Sequence, residues 1–337
     1  MGYEELSIDM GNGYFKGLNS MGANLHYPSI VKPKTDANVF NEGKDDFLAI
    51  VNGKEYYFGQ LAARKGGIRP WSNTNSLNPD YELHAALAAH VLLSGRERDI
   101  KLLIGLPFSM WQSQNRLNDQ SLKKRFIGKS FQTEYDNEVK DFRIVDISIF
   151  PQGVGAYMSN LYGLDGNPID EEAEDQISAI FIEIGYKTVE YVAFQDADNG
   201  WMLDAASGSL ENSGSYRICE DIRDLMGDMG NKYNCDDIEY AINYRNGILT
   251  NIDGKIDVKD LERQTVAQLA NEISNQINQR FSATFAKYAN IYVSGGAAAK
   301  FYPEMKKYFS QLKLQKDPVF ANARGYMAIE NHNKFYE

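Results

Sequence analysis

The chain has 337 residues, a formal net charge of −11, a hydrophobic fraction of 43% and 2 cysteines. That length exceeds what one hydrophobic core usually holds, so two domains are expected. The acidic balance argues against direct nucleic-acid binding or docking on an anionic membrane, because neutralising phosphates needs a basic face. Cys219 and Cys235 lie far apart with no CxxC spacing and read as reduced thiols. No basic stretch followed by an apolar segment opens the chain, and no run approaches membrane-spanning length. A soluble, cytoplasmic protein is the expectation.

Leu6–Met10 is a short, mostly apolar run that predicts a buried strand, and it ends in Gly11-Asn12-Gly13, with Tyr14 and Lys16 close behind. Glycines at a strand end let backbone N–H groups close on an anion with no side chain in the way. Asp9 lies inside that strand, where an acid is costly without a role or a partner. Further on, Phe47–Val51 and Lys54–Phe58 flank Asn52-Gly53, the strongest short hairpin signal. Residues 33–75 therefore read as a small β-containing insertion, with a short helix starting at Gly59-Gln60-Leu61-Ala62.

Asn78-Pro79 predicts a helix start and Tyr81–Leu93 a buried helix carrying His84 and His90. Their spacing of six is not that of a zinc-binding pair. Ile100–Ile104 reads as a strand ending in Gly105-Leu106-Pro107, and Ser121–Phe126 as a basic helix with a solvated face. Ile144–Phe150 is a further strand, running through Pro151-Gln152-Gly153 into a helix over Val154–Leu161. Gln152 thus stands at a strand's C-terminal end, where open α/β sheets place functional groups. An amide there can orient a water against a phosphate.

Past the polar, acidic passage Gly163–Asp175, Phe181–Glu190 reads FIEIGYKTVE and repeats the opening pattern. Glu183 and Gly185 correspond to Asp9 and Gly11, which points to an internal duplication. Two such loops, the second continuing through Tyr186, Lys187 and Thr188, can clamp a polyphosphate; Asp9 and Glu183 can hold a divalent cation through its waters. Tyr191–Phe194 and Trp201–Asp204 flank a hairpin turn at Asp196–Gly200, and Ser213-Gly214-Ser215 opens a helix reaching Met226. Tyr233–Ile256 is short-elemented. Asp257–Tyr288 is the longest helical signal, capped by Asp257, with Val266, Leu269, Ile273, Ile277, Phe281 and Phe285 on one face. Ile291–Val293 predicts a strand, after which Ser294-Gly295-Gly296-Ala297-Ala298 opens a helix and forms a cradle for a base, ribose or phosphate. Ala321–Tyr326 predicts a helix that returns to the first domain. The expected domains are 1–150 with 320–337, and 151–319 with a mainly helical insertion at 213–289.

Three glycine turns plus Gln152, in this order and spacing, resemble the actin/Hsp70/hexokinase nucleotide-binding fold over nearly the whole chain. The resemblance implies an α/β protein of two actin-like (ribonuclease H-like) domains, each a mixed β-sheet flanked by helices, with a nucleotide cleft between them. Ile104-Gly105-Leu106-Pro107, Tyr57-Phe58-Gly59-Gln60-Leu61-Ala62 and Phe320-Ala321-Asn322-Ala323-Arg324-Gly325 are similar to the bacterial plasmid-segregation actins of the ParM/StbA type. That branch implies an ATP or GTP hydrolase that uses Mg²⁺ and self-associates into dynamic filaments. An adaptor protein on centromere-like DNA would couple it to plasmid segregation. By the same resemblance, Gly11, Asn12, Gly13, Tyr14 and Lys16 with Gly185, Tyr186, Lys187 and Thr188 hold the phosphates. Ser294, Gly295, Gly296 and Ala297 hold the nucleoside, Asp9 and Glu183 order the metal's waters, and Gln152 positions the attacking water. The chain departs from the family at Glu183, where Asp is usual, at Tyr186 and Lys187, where Gly and Thr are usual, and at Ser294, where Gly is common. A small-molecule kinase of the same fold and a non-hydrolysing nucleotide-binding scaffold stay open as alternatives, although no acceptor-side base stands out for the former.

Overall fold

The computed structural model describes residues 2–35, 47–69, 80–95, 97–113, 117–169, 178–197, 200–252 and 254–333. Asn78-Pro79, Asp198-Asn199 and residues 170–175 of the acidic passage lie outside the described residues. The strands and helices run β1 (Glu4–Met10), β2 (Tyr14–Asn19), β3 (Asn24–Pro28), β4 (Val31–Pro33), β5 (Phe47–Val51), β6 (Lys54–Phe58), α1 (Gly59–Arg64), α2 (Tyr81–Leu92), β7 (Glu97–Leu106), α3 (Phe108–Ser113), α4 (Leu117–Phe126), β8 (Ser130–Tyr135), β9 (Glu138–Pro151) and α5 (Val154–Leu161). They continue as β10 (Ala179–Ile184), β11 (Val189–Ala197), β12 (Gly200–Leu203), β13 (Gly208–Leu210), α6 (Tyr216–Leu225), α7 (Cys235–Tyr244), β14 (Ile248–Asn251), β15 (Gly254–Asp257), α8 (Lys259–Arg280), β16 (Asn290–Ser294), α9 (Ala298–Met305), β17 (Leu312–Leu314) and α10 (Ala321–Asn333).

Two compact units emerge, Met1–Glu174 with Val319–Glu337, and Asp175–Pro318. In the first, the described strands form a sheet in the order β3-β2-β1-β7-β9-β8-β5-β6-β4. β1, β7 and β9 are parallel, whereas on the other side of β1 the strand β2 runs antiparallel to it and β3 antiparallel to β2. Side chains alternate across a strand: Leu102 and Ile104 join the core built with α2, while Leu103 joins the one built with Tyr326 and Met327 of α10. Helices therefore cover both faces of the sheet. Within the stretch read as a β-containing insertion, β5 pairs with β8 and so extends the main sheet. Asn52 and Gly53 turn that hairpin with φ of 50° and 76°. The β8–β9 hairpin, turned by Asp136 and Asn137 at φ of 52° and 62°, has no counterpart in the sequence reading, which begins a strand only at Ile144.

α5 belongs to the first unit, although the sequence reading begins a second domain at residue 151. It lies against α10 so closely that a Cβ on Gly325 would stand 1.7 Å from the carbonyl oxygen of Gly155. The two glycines let one helix backbone rest on the other.

The second unit repeats the arrangement. Its sheet runs β12-β11-β10-β16-β17, with β11 antiparallel to β10 and β16 and β17 parallel to it. This is the order and polarity of β3-β2-β1-β7-β9, so the duplicated motif carries a duplicated topology. β10 is buried throughout, as a central strand covered on both faces should be. On one face Ile180, Ile182 and Ile184 pack with Val266, Leu269, Ile273 and Ile277 of α8; each such side chain stabilises by about 1.5–3 kcal/mol. α8 stops at Arg280, short of the expected Tyr288; Phe281 is buried just beyond it, and Phe285 turns to stack on Phe309 at 5.8 Å. Asp257 precedes the N-cap, Val258, and its Oδ1 accepts the Lys259 N–H at 2.9 Å.

Both histidines of α2 are buried and separately bonded. His90 Nδ1 lies 2.7 Å from Thr133 Oγ1, and His84 Nδ1 lies 3.0 Å from the Tyr27 hydroxyl. Burial lowers the His84 pKa from 6.5 to about 3. The unfolded chain therefore binds a proton that the fold rejects between those values. Stability linked to His84 is complete above pH 6.5 and is lost as pH falls towards 3. His84→Phe should flatten the urea midpoint against pH in that window, and a profile parallel to the parent's would refute the assignment.

Candidate functional site

In the first unit the strand-to-turn motif is a β-hairpin. Its register sets Lys16 of β2 directly across from Asp9 of β1. Asp9 is 2% exposed; its Oδ2 accepts from Lys16 Nζ at 2.9 Å and its Oδ1 from Gln152 Nε2 at 2.9 Å. A carboxylate only accepts, so the glutamine must turn its NH₂ to Asp9 and its carbonyl oxygen the other way. Gln152 reaches this place from the end of β9, where its own N–H donates to the Leu106 carbonyl at 2.7 Å. Gly153 follows at φ 81°, a backbone that favours glycine.

The hairpin turn has its carbonyls tied back. Ser29 Oγ donates to the Gly11 carbonyl at 2.7 Å, and the Ser29 N–H donates to that of Gly13 at 2.9 Å. In a trans peptide the next N–H points opposite to the carbonyl, so the N–H groups of Asn12 and Tyr14 face away from Ser29. Gly11 has no room for a side chain: a Cβ would lie 2.8 Å from the Tyr14 carbonyl oxygen and 3.3 Å from Lys16 Nζ. The Tyr14 ring sits between the imidazole of His26, at 5.0 Å, and the guanidinium of Arg69, at 5.7 Å.

In the second unit the turn Gly185–Thr188 uses the same device with different donors. The carbonyls of Lys187, Gly185 and Tyr186 accept the N–H groups of Gly214, Ser215 and Tyr216 at 3.1, 3.0 and 2.8 Å. The N–H groups of Tyr186, Lys187 and Thr188 are thereby turned away from the start of α6, the geometry of an anion-binding nest. Gly214 is required there, since its Cβ would stand 2.4 Å from the Tyr186 oxygen. The Tyr186 side chain packs on Tyr216 at 5.4 Å and donates to Glu239 at 3.1 Å, so it faces α6 and α7. Glu183 is 6% exposed and lies across from Glu190, the position that Lys16 holds in the first hairpin. Glu190 accepts from Thr188 Oγ1 at 3.0 Å and from the Ser209 hydroxyl.

The third loop divides in two. Ser294 is fully buried at the end of β16, and Gly295, at φ 93°, is pressed so close to β10 that a Cβ would meet the Ile184 oxygen at 2.5 Å. Gly296 is exposed with nothing within 4 Å of its Cβ position, and Ala297 is half-buried. The open face of the cradle is Gly296 and Ala297, while Ser294 and Gly295 hold the loop to the sheet.

The first unit thus gathers Asp9, Lys16 and Gln152 around the Gly11–Gly13 turn. The second gathers Glu183 with the Gly185–Thr188 turn, beside the Ser294–Ala297 loop, through the β10–β16 pairing of Glu183 with Ser294. Sequence reasoning missed Ser29 and Gly214–Tyr216, which hold the turns, and Glu190. The seven-residue spacing shared by Asp9–Lys16 and Glu183–Glu190 would have found the last of these. Among the described residues, no three or more His, Cys, Asp and Glu side chains gather as metal ligands. No described helix is long and apolar enough to cross a membrane.

Comparison with known proteins agrees with the fold of the two units. Residues 7–155 match the N-terminal domain of actin-like proteins, and residues 181–307 match the C-terminal domain of archaeal MreB-like actin homologues. A 15-stranded ParM filament from Clostridium botulinum superposes with a TM-score of 0.82 at 22% identity, over 99% of this chain and 100% of that one. A non-polymerisable quadruple mutant of pCBH ParM gives 0.80 at 21% identity over 98% and 99%, and an archaeal actin homologue in complex with ADP gives 0.73 at 17% over 97% and 99%. No curated protein sequence matches. The fold is that of actin, built from two related α/β units. Each unit thus matches a domain model of actin-like proteins, and the fold is one that the ParM structures share.

Removing the cation from the buried pair should be costly. Lys16→Met is expected to destabilise the first unit by about 3 kcal/mol in urea unfolding at pH 7, because it strands a buried carboxylate. Adding Asp9→Asn should restore part of that loss; a double variant no more stable than Lys16→Met would show that the pair is not the source.

Proposed function

We propose that the protein is a nucleoside triphosphatase that polymerises into filaments with ATP or GTP and Mg²⁺, and that a DNA-bound adaptor couples it to plasmid segregation in the cytoplasm. The observation that carries this reading is the Gln152–Asp9 hydrogen bond of 2.9 Å beside a turn whose carbonyls are tied back. With its NH₂ committed to Asp9, Gln152 presents its carbonyl oxygen to a water. That oxygen accepts a hydrogen bond from the water and so turns the water's own lone pair towards the terminal phosphate. The Gly11–Gly13 and Gly185–Thr188 turns offer backbone N–H groups to phosphate oxygens, and Lys16 and Lys187 offset phosphate charge. Gly296 and Ala297 admit the nucleoside to the start of α9. The cation, when bound, neutralises charge developing on the phosphates; Asp9 and Glu183 orient its waters.

Further support comes from the relatives: one is a ParM filament and another was solved with ADP. The net charge of −11 suits a protein that reaches DNA through another protein rather than directly.

Sedimentation and light scattering with ATP, GTP and their diphosphates test the proposal, with polymer expected with a triphosphate and shorter-lived polymer after hydrolysis. Gln152→Ala should slow phosphate release by about 100-fold and leave nucleotide binding and assembly intact. Asp9→Ala should abolish Mg²⁺-dependent hydrolysis. Parent-like turnover in either variant would remove the role assigned to that residue.

A further inference from the structure

α5 starts without a cap of its own. Its N-cap is Gly153, which must be glycine for the φ of 81° that turns the chain out of β9, so no Ser, Thr or Asp can stand there. The acceptor comes from the other end of the chain instead. Asn322 Oδ1, at the start of α10, accepts the N–H of Gly153 at 3.0 Å and that of Ala156 at 3.1 Å. These are the N-cap and N3 groups, and the N3 bond is the one a local capping side chain would make. Asn322 is 3% exposed. It is fixed in turn by its helix: Ser7 Oγ of β1 donates to the Ala323 carbonyl at 2.6 Å, and the Gly155–Gly325 contact leaves α10 no room to slide.

The peptide that Asn322 holds is the one joining Gln152 to Gly153. The peptide before Gln152 is held by the Leu106 carbonyl at 2.7 Å. Both peptide planes flanking the Gln152 Cα are therefore anchored, one by β7 and one by α10, and the direction of its side chain towards Asp9 follows.

We infer that Asn322 is a positioning residue for Gln152: through the Gly153 and Ala156 N–H groups it sets the backbone from which the glutamine meets Asp9 and its water. This rests on the hydrolytic role proposed for Gln152. Loss of the cap frees the Gln152–Gly153 peptide to rotate, and a displacement of about 1 Å at a catalytic group can cost on the order of 100-fold in rate.

The test is a mutant cycle read as steady-state phosphate release and nucleotide affinity. Asn322→Ala should lower kcat by at least about 10-fold with nucleotide affinity unchanged. Asn322→Asp, whose carboxylate accepts both N–H groups, should restore most of the turnover. In the Gln152→Ala background, Asn322→Ala should cause no further loss, because it acts only through the glutamine. Additive losses, or parent-like turnover in Asn322→Ala beside a slow Gln152→Ala, would overturn the inference and leave the role of Gln152 standing. Parent-like turnover in Gln152→Ala would overturn both. Should Asn322→Ala fail to fold, Asn322→Ser carries the same comparison, since its shorter acceptor cannot span both groups: slowed turnover supports the assignment, and parent-like turnover overturns it.

Discussion

Asp9 is a carboxylate near the end of a central strand, with 2% of its surface exposed. An isolated charge taken that far out of water costs several kcal/mol, so its surroundings must answer it. Lys16 comes from the strand beside it, placed directly across by the hairpin register. Gln152 comes from the end of β9, beyond β7 in the same sheet. The hairpin turn, the sheet order and the turn into α5 all serve this one contact. Gly153 and Asn322 extend the chain of dependence to the C-terminal helix, which rests on α5 through paired glycines and on β1 through Ser7.

The two units share a backbone device more closely than they share side chains. Each has an acid two residues before a glycine turn, and each turn's carbonyls are captured by neighbouring donors. Ser29 does this in the first unit, and the N–H groups that open α6 do it in the second. Because the peptides are trans, fixing the carbonyls fixes the opposite N–H groups. This explains how Tyr186 and Lys187 can stand where glycine and threonine are usual. The turn is held by its backbone carbonyls, and the tyrosine ring is taken up by Tyr216 and Glu239. Side-chain chemistry diverges instead at the cross-strand position, Lys16 in one hairpin and Glu190 in the other.

Much of the fold was legible in local pattern. β10 is apolar but for Glu183, and β1 is buried from Glu5 to Asp9, because both faces of each strand are covered. The β5–β6 hairpin was marked by Asn52-Gly53, whose residues take the positive φ that such a turn demands. α5 and the apolar face of α8 followed from helical spacing. The β8–β9 hairpin went unread although Ser130–Tyr135 alternates, because its turn, Asp136-Asn137, lacks a glycine. α8 ended early because the apolar period runs on into turns and a short 3₁₀ segment: the Phe281 and Phe285 N–H groups still donate four residues back, to Ile277 and Phe281, although the regular helix stops at Arg280.

By itself the sequence determined which residues carry the candidate chemistry and that the motif occurs twice, since acids, glycines and their spacing are properties of short segments. Only tertiary structure decided what those residues touch. It paired Lys16 with Asp9, turned Ser294 and Gly295 inward while leaving Gly296 open, and brought Asn322 to a helix that begins 168 positions earlier. Such contacts depend on sheet order and on helices packing at glycines, and neither leaves a local trace. A hydrogen bond between distant segments is specified by the whole fold, not by either segment alone.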